Sequence, residues 1–234
     1  MRLHRFFIAE TIGGKAEISV SSAELAHQMS HVFRLGKGDH IILFDGSGSD
    51  SECEILEIGK ETLKFRVVSS EASRYMPSRK VYLYAAIVKK GNFEFIVEKA
   101  TELGVTDIIP VMAERSEKKS LNEERLTKIA VEASEQSGRG SVPKIHGITS
   151  LGDSINHAKK ETDTQEAFHT EGEPFDSAVV SKTGAVAIFI GPEGGWSPSE
   201  LELFHAQCID VACLGAQVLR AETAVIAALS VVVF

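Results

Sequence analysis

Gly191, Pro192, Glu193, Gly194 and Gly195, followed by Trp196, Ser197 and Pro198, stand directly after the apolar run 186–190. Glycine tolerates positive φ and lets backbone N–H groups approach a ligand closely. A helix N-terminus adds unpaired donors of its own. The chemistry on offer is a small-molecule cradle made mostly of backbone. A second segment repeats the plan: the short apolar run 208–214 ends in Gly215 and leads through Leu219, Arg220, Ala221, Glu222 and Thr223 into the apolar stretch 224–234. Glu193 gives the first loop a carboxylate, and Arg220 sets a guanidinium at the entrance to that stretch. Taken by itself, the first glycine cluster serves equally well as a chain turn.

The elements around these loops decide whether they can meet. Residues 186–190 have the length and branched content of a buried strand. Ser197, Pro198 and Glu200 supply an N-cap, a proline at N1 and a capping-box acid at N3. Two strand–loop–helix units in succession place their loops on one edge of a parallel sheet. Ligands of open α/β sheets bind outside the carboxyl ends of the strands, so both loops face one crevice.

Upstream, the character of the chain changes near residues 73–78, which sets domains at 1–74 and 75–234. Residues 5–8, 16–20, 41–44, 51–58 and 62–68 read as short strands, with one helix at 23–32. That pattern predicts a small β-barrel. After Pro77, 81–88 reads as a strand, and Phe93, Ile96, Val97, Ala100 and Leu103 share one face of a helix that Gly104 ends. Residues 106–111 form the next strand. Ser120 and Glu123 are read as the capping box of a helix to about Ser137, with Leu126, Ile129, Ala130 and Ala133 as its apolar stripe. The alternation predicts a parallel α/β domain.

Composition sets further bounds. The 234 residues are 43% hydrophobic, enough for one large core or two smaller ones. The stretch 224–234 is too short to cross a bilayer, and the N-terminus lacks the apolar core of a signal peptide, so a cytoplasmic protein without membrane contact is expected. Cys53, Cys208 and Cys213 lack zinc-site spacing, and no histidine pair is read at H-x-x-x-H spacing in a helix. No metal and no disulfide are therefore expected. The net charge of −8 argues against indiscriminate nucleic-acid binding. Much of it comes from residues 150–180, where Asp153, Glu161, Asp163, Glu166, Glu171, Glu173 and Asp176 face only Lys159 and Lys160. Basic residues gather at Arg2/Arg5, Arg34/Lys37, Lys89/Lys90 and Arg115/Lys118/Lys119. These are candidate phosphate contacts or ordinary solvated charges.

The loop sequence IGPEGGWSPSE with LGAQVLRAETA at this distance resembles the cofactor knot of the bacterial ribosomal RNA small-subunit methyltransferase E family. The likeness extends through His4-Arg5-Phe6-Phe7, His31-Val32-Phe33-Arg34, Gly38-Asp39 and Phe44-Asp45-Gly46. It continues through Lys90-Gly91, the run 98–105 and the run 132–139, in order, over nearly the whole chain. Trp196 stands where the family usually has phenylalanine, Gln217 where a basic residue is common, and Val218 where isoleucine is usual. Residues 150–180 are the least family-like.

The resemblance implies a SPOUT-type parallel α/β domain with a C-terminal trefoil knot, preceded by a PUA-like RNA-binding β-barrel. It implies methylation of N3 of a uridine in 16S ribosomal RNA with S-adenosylmethionine, by a homodimer. Cofactor contacts are expected from Thr170, Gly191, Gly194, Gly195, Leu214, Gly215, Val218 and Leu219, and RNA contacts from Arg5, Arg34 and Lys90. N3 of uracil becomes a good nucleophile as its proton leaves and charge spreads onto the flanking carbonyl oxygens. The enzyme's task is alignment and stabilisation of that anion. Arg220 is assigned the anion; its alternative is an ion pair with Glu222 or Glu193. Arg139 is the second catalytic candidate, approaching from the partner subunit, or else a helix-terminal arginine satisfying carbonyls. Glu193 is either a general base or a shaper of its loop. Other readings are a non-enzymatic RNA-binding assembly factor and a methyltransferase of another RNA such as transfer RNA. A nucleotide-binding oxidoreductase is disfavoured by the lack of G-x-G-x-x-G after a strand.

Overall fold

The computed structural model describes residues 3–116, 120–176, 178 and 184–233, Lys90 without its side chain. They fall into two units: Met1–Met76 with Ser134–Ser141, and Pro77–Ala133 with Val142–Phe234.

In the first unit, apolar residues at every second position make strands with one buried face. Ile18 and Val20 of β2 (Glu17–Ser21), Cys53 and Ile55 of β4 (Ser49–Ile58), and Leu63 and Phe65 of β5 (Thr62–Ala72) all turn inward. They pack with Phe6 of β1 (Arg5–Phe7), with Ile41 and Leu43 of β3 (His40–Phe44), and with Met29. The sheet order is β1-β3-β4-β5-β2, with β1 parallel to β3 and the other pairs antiparallel. Irregularities at Glu52/Cys53 and Ile55/Glu57 let the sheet curl.

The helix expected at 23–32 is divided. Ser22 caps α1 (Ala23–His27), and the chain then widens into a π turn over Gln28–Val32. This corrects the reading of the histidines: His27 and His31 stand four apart, with rings stacked at 4.7 Å. Residues 134–141 complete the unit. The Phe7 N–H donates to the Glu135 carboxylate at 2.8 Å. Arg5 donates to Asp50 at 2.8 Å and to the Arg139 carbonyl at 3.2 Å. The outer side of edge strand β1 thereby finds a partner.

The second unit holds β6 (Lys80–Ala86), β7 (Asp107–Met112), β8 (Lys144–Ile145), β9 (Thr149–Ser150), β10 (Thr164–Pro174), β11 (Ala185–Ile190) and β12 (Asp210–Cys213). Its described helices are α2 (Lys90–Glu102), α4 (Leu151–Glu161), α5 (Pro198–Ala206), α6 (Ala221–Val233) and the first part of α3 (Glu123–Ser137). The strands are parallel in the order β12-β10-β11-β6-β7-β8, with β9 also on β7. Both faces are covered, which is why these strands read as continuous apolar runs. Period two then sorts the side chains: Val81, Leu83, Val186, Ile188 and Ile190 face α2 and α6, while Tyr82, Tyr84, Ala187 and Phe189 face α4 and α5. The cap of α3 differs from expectation. Asn122 accepts from the Arg125 N–H at 3.0 Å, because Ser120 stands two residues too early.

Candidate functional site

β12, β10 and β11 are neighbours running the same way, so their carboxyl ends share one edge. Three chain segments meet near that edge: 168–170, where β10 leaves its ladder with β11 and shifts register on β12, with 190–195 and 213–219. With Ala221 and Ala224 of α6 they line a cavity of about 230 Å³. Thr170, Gly191, Gly194, Gly195, Leu214, Gly215, Val218 and Leu219 all lie on its wall.

The middle segment owes its shape to close packing. Gly191 rests on the Trp196 indole, and a Cβ there would come within 3.2 Å of the ring. Trp196 is buried and meets Phe204 edge-on at 5.2 Å. Its Nε1 is buried without a hydrogen-bond partner among the described residues. Gly195 has φ +67, a region costly for side-chain-bearing residues, and its N–H donates to the Pro192 carbonyl at 2.8 Å. The turn is thus closed by its own backbone.

Helix α5 starts from a full capping box. The Glu200 N–H donates to Ser197 Oγ at 3.2 Å, and the Ser197 N–H to Glu200 Oε2 at 2.7 Å. Glu200 Oε1 also accepts from the Glu114 N–H at 2.9 Å, which ties the end of β7 to the start of α5. Next to it, Arg115 Nη1 donates to the Gly194 carbonyl at 2.6 Å and, longer, to the Trp196 carbonyl at 3.4 Å. Its aliphatic stem lies over Gly194. Sequence reasoning placed Arg115 among phosphate contacts and missed this clamp, since the bond spans 79 positions. His169 was also missed: it lines the cavity and abuts Gly195.

The charged candidates are placed differently. Glu193 stands in the cavity wall, with a long contact from Asn92 Nδ2 at 3.4 Å. Arg220 is exposed, and its carbonyl accepts from the Ala224 N–H at 2.8 Å at the start of α6. Its guanidinium bonds neither Glu222 nor Glu193 among the described residues. Glu222 Oε2 is instead buried without a hydrogen-bond partner among the described residues. Leu219 and Ala221 on either side of Arg220 line the cavity, and Arg220 itself does not.

Arg139 is absent from the cavity wall. It lies in the first unit, buried, donating to Ser141 Oγ at 3.3 Å, and burial pulls its guanidinium down to about 10. Of the RNA candidates, Arg34 is exposed in a left-handed conformation with φ +56. Arg5 is committed to Asp50 with 9% of its side chain exposed. Lys90 opens α2, and its side chain lies outside the described residues, as do Arg2, Lys118 and Lys119. No helix among the described residues is long and apolar enough to cross a membrane. Among the described residues no group of three or more metal-ligating side chains is placed to hold an ion.

A family model for an RNA methyltransferase domain matches residues 75–233, and one for an RNA methyltransferase PUA domain matches residues 29–68. Ribosomal RNA small subunit methyltransferase E of Bacillus subtilis is 33% identical, over 98% of this chain and 96% of that protein. The protein of the same name from Rickettsia conorii is 31% identical, over 98% and 95%. Among solved structures, ribosomal RNA small subunit methyltransferase E from Neisseria gonorrhoeae bound to S-adenosyl methionine is similar with a TM-score of 0.88. Its identity is 25%, over 98% of this chain and 96% of that one. A Legionella pneumophila protein in complex with the bound cofactor SAM has a TM-score of 0.88 and 28% identity, over 99% and 97%.

Proposed function

Because this chain belongs to the ribosomal RNA small subunit methyltransferase E family, we propose that it methylates N3 of a uridine in 16S ribosomal RNA with S-adenosylmethionine. The observation that carries this reading is the meeting of three strand-end segments in one glycine-walled cavity, in a chain similar to relatives solved with that cofactor. The wall fits such a ligand. Backbone at Gly191, Gly194, Gly195 and Gly215 offers close approach, Thr170 adds a hydroxyl, and Leu214, Val218 and Leu219 offer apolar flanks for an adenine. Val218, 80% exposed, is apolar surface left uncovered by the described residues.

The sulfonium supplies an activated methyl group when bound. What remains for this chain is to hold the uracil in line and to stabilise the negative charge on its carbonyl oxygens. Arg220 suits that task, being exposed beside the cavity with its guanidinium uncommitted among the described residues. Glu193, in the glycine loop, shapes the turn. The reading includes a C-terminal trefoil knot, a homodimer, and a cytoplasmic location with the ribosome. Arg34 and Lys90 serve the RNA.

The test is transfer of labelled methyl from S-adenosylmethionine to isolated small ribosomal subunits lacking the modification, followed by nuclease digestion and nucleoside analysis. The expected product is 3-methyluridine. Cofactor binding without transfer would point to another RNA, and failure to bind cofactor would leave the assembly-factor reading.

A further inference from the structure

A groove of about 860 Å³ runs along the first unit between α1 and the β4–β5 hairpin. Leu35 and Ile58 form its floor, and His27, His31, Lys37 and Lys60 its edges. The hairpin turn, closed by the Gly59 N–H donating to the Thr62 carbonyl at 2.8 Å, carries Lys60 to the side opposite α1. The rings of His27 and His31 stack in parallel on the α1 side, inclined by only 8°. Glu57 is the acid on the rim, and Lys64 already binds it at 2.8 Å. Lys37 senses Glu57 only at a distance, and Lys60 forms no ion pair among the described residues. The groove edge is therefore cationic in a chain of net charge −8.

The chain leaving this groove carries an exposed aromatic. Phe33 is 36% exposed, and its ring is held by His4 at 4.5 Å and by Phe6, edge-on, at 5.3 Å. Beside it, Val32 is 62% exposed, and Arg34 takes its left-handed turn. A ring braced from behind and open in front suits a flat partner. A paired base has both faces occupied, whereas an unpaired one has a face free for an aromatic.

We propose that the groove and the Phe33 ledge together seat a single-stranded segment of the substrate RNA, with phosphates along Lys37 and Lys60 and one unstacked base on Phe33. This rests on the ribosomal RNA reading above and adds to it a place and a form for the RNA. The groove residues from His31 to Lys60 fall inside the segment matched as an RNA methyltransferase PUA domain.

The experiment uses the full chain, with filter binding to deproteinised 16S ribosomal RNA and to assembled small subunits over a range of salt. Calorimetry of S-adenosylmethionine and thermal melting serve as controls. Lys37→Glu with Lys60→Glu, both on exposed positions, is expected to weaken RNA binding by at least about tenfold. It should also lower the slope of log affinity against log salt by about one to two. Phe33→Ala is expected to cost about tenfold with little change in that slope. Cofactor affinity should not move in either variant. Unchanged RNA affinity in the lysine variant overturns the proposal, as does a loss seen with assembled subunits alone, which would assign the groove to a ribosomal protein. A wild-type chain that methylates subunits while the variants do so equally well sinks this inference alone. A wild-type chain that neither binds nor methylates ribosomal RNA sinks the reading beneath it.

Discussion

The cradle of the second unit and the groove of the first are built from different parts of the amino acid. The cradle is mainly backbone: glycines, a turn closed by Gly195 and Pro192, and the start of α6. The groove is side chain: two imidazoles and two ammonium groups, with the Phe33 ring following just past the π turn. A backbone site fails as a whole when its support moves, because every donor shifts together. A side-chain site loses affinity one contact at a time. The difference between these two modes of failure can be measured.

The largest effect is expected at Trp196, which supports Gly191 from below. Trp196→Ala should cost about 3–5 kcal/mol in a denaturant titration and take cofactor binding with it. Retained cofactor affinity at that cost would show that the cradle does not depend on its floor. Trp196→Phe gives up an indole N–H that has no partner among the described residues, along with some packing, and should change stability by less than about 1 kcal/mol. Arg220→Ala comes next, with kcat expected to fall by about 100- to 1,000-fold while cofactor affinity and melting temperature hold. Loss of folding instead would return Arg220 to a structural role.

Glu166 sharpens the comparison because it lies on β10 close to the cradle but outside its wall. Burial, and beyond it the charge of Asp210, push its carboxyl up from 4.5 to about 7. A carboxyl raised on folding holds its proton more tightly in the native state. Its neutral form costs nothing below about pH 4.5, and stability is lost as pH rises to about 7 and stays lost above. Glu166→Gln should therefore add up to roughly 3 kcal/mol at pH 8 and nothing near pH 4.5, with cofactor affinity unchanged. Arg115→Ala is the milder test of the cradle's support. Without its bonds to the Gly194 and Trp196 carbonyls the cradle loosens, and cofactor affinity should fall about tenfold. Arg115→Lys should recover part of it, and an unaltered affinity in both variants would remove the clamp.

The two regions also differ in how far they can be read before folding. The cradle was legible because its residues are contiguous: 190–195 and 213–219 each carry their own strand end, turn and helix start. What escaped was the clamp, since nothing near Arg115 signals a carbonyl 79 positions away. Most strands of both units were legible from apolar runs, but β8, β9 and β10 were not. β8 and β9 are two residues long, the apolar residues of β10 are few, and β5 runs four residues past the expected 62–68 through its pairing with β4. The curl of the first sheet was not legible, because the register shifts in β4 and β5 come from cross-strand packing. The division of the helix after His27 was missed because Gln28–Val32 keeps helical spacing while its hydrogen bonds widen. Arg139 was read as lying at a helix end near chemistry, and the structure buries it in the first unit with Ser141.

The first unit takes its last piece, Ser134–Ser141, from beyond residues 77–133. During synthesis the curled sheet leaves the ribosome with the Phe7 N–H and the Arg5 guanidinium still lacking Glu135 and the Arg139 carbonyl. The first unit therefore closes only after residue 141 has emerged, when much of the second unit's chain is already outside. N-terminal origin and early completion are separated here, and a fragment ending at Met76 carries an edge strand open to other chains.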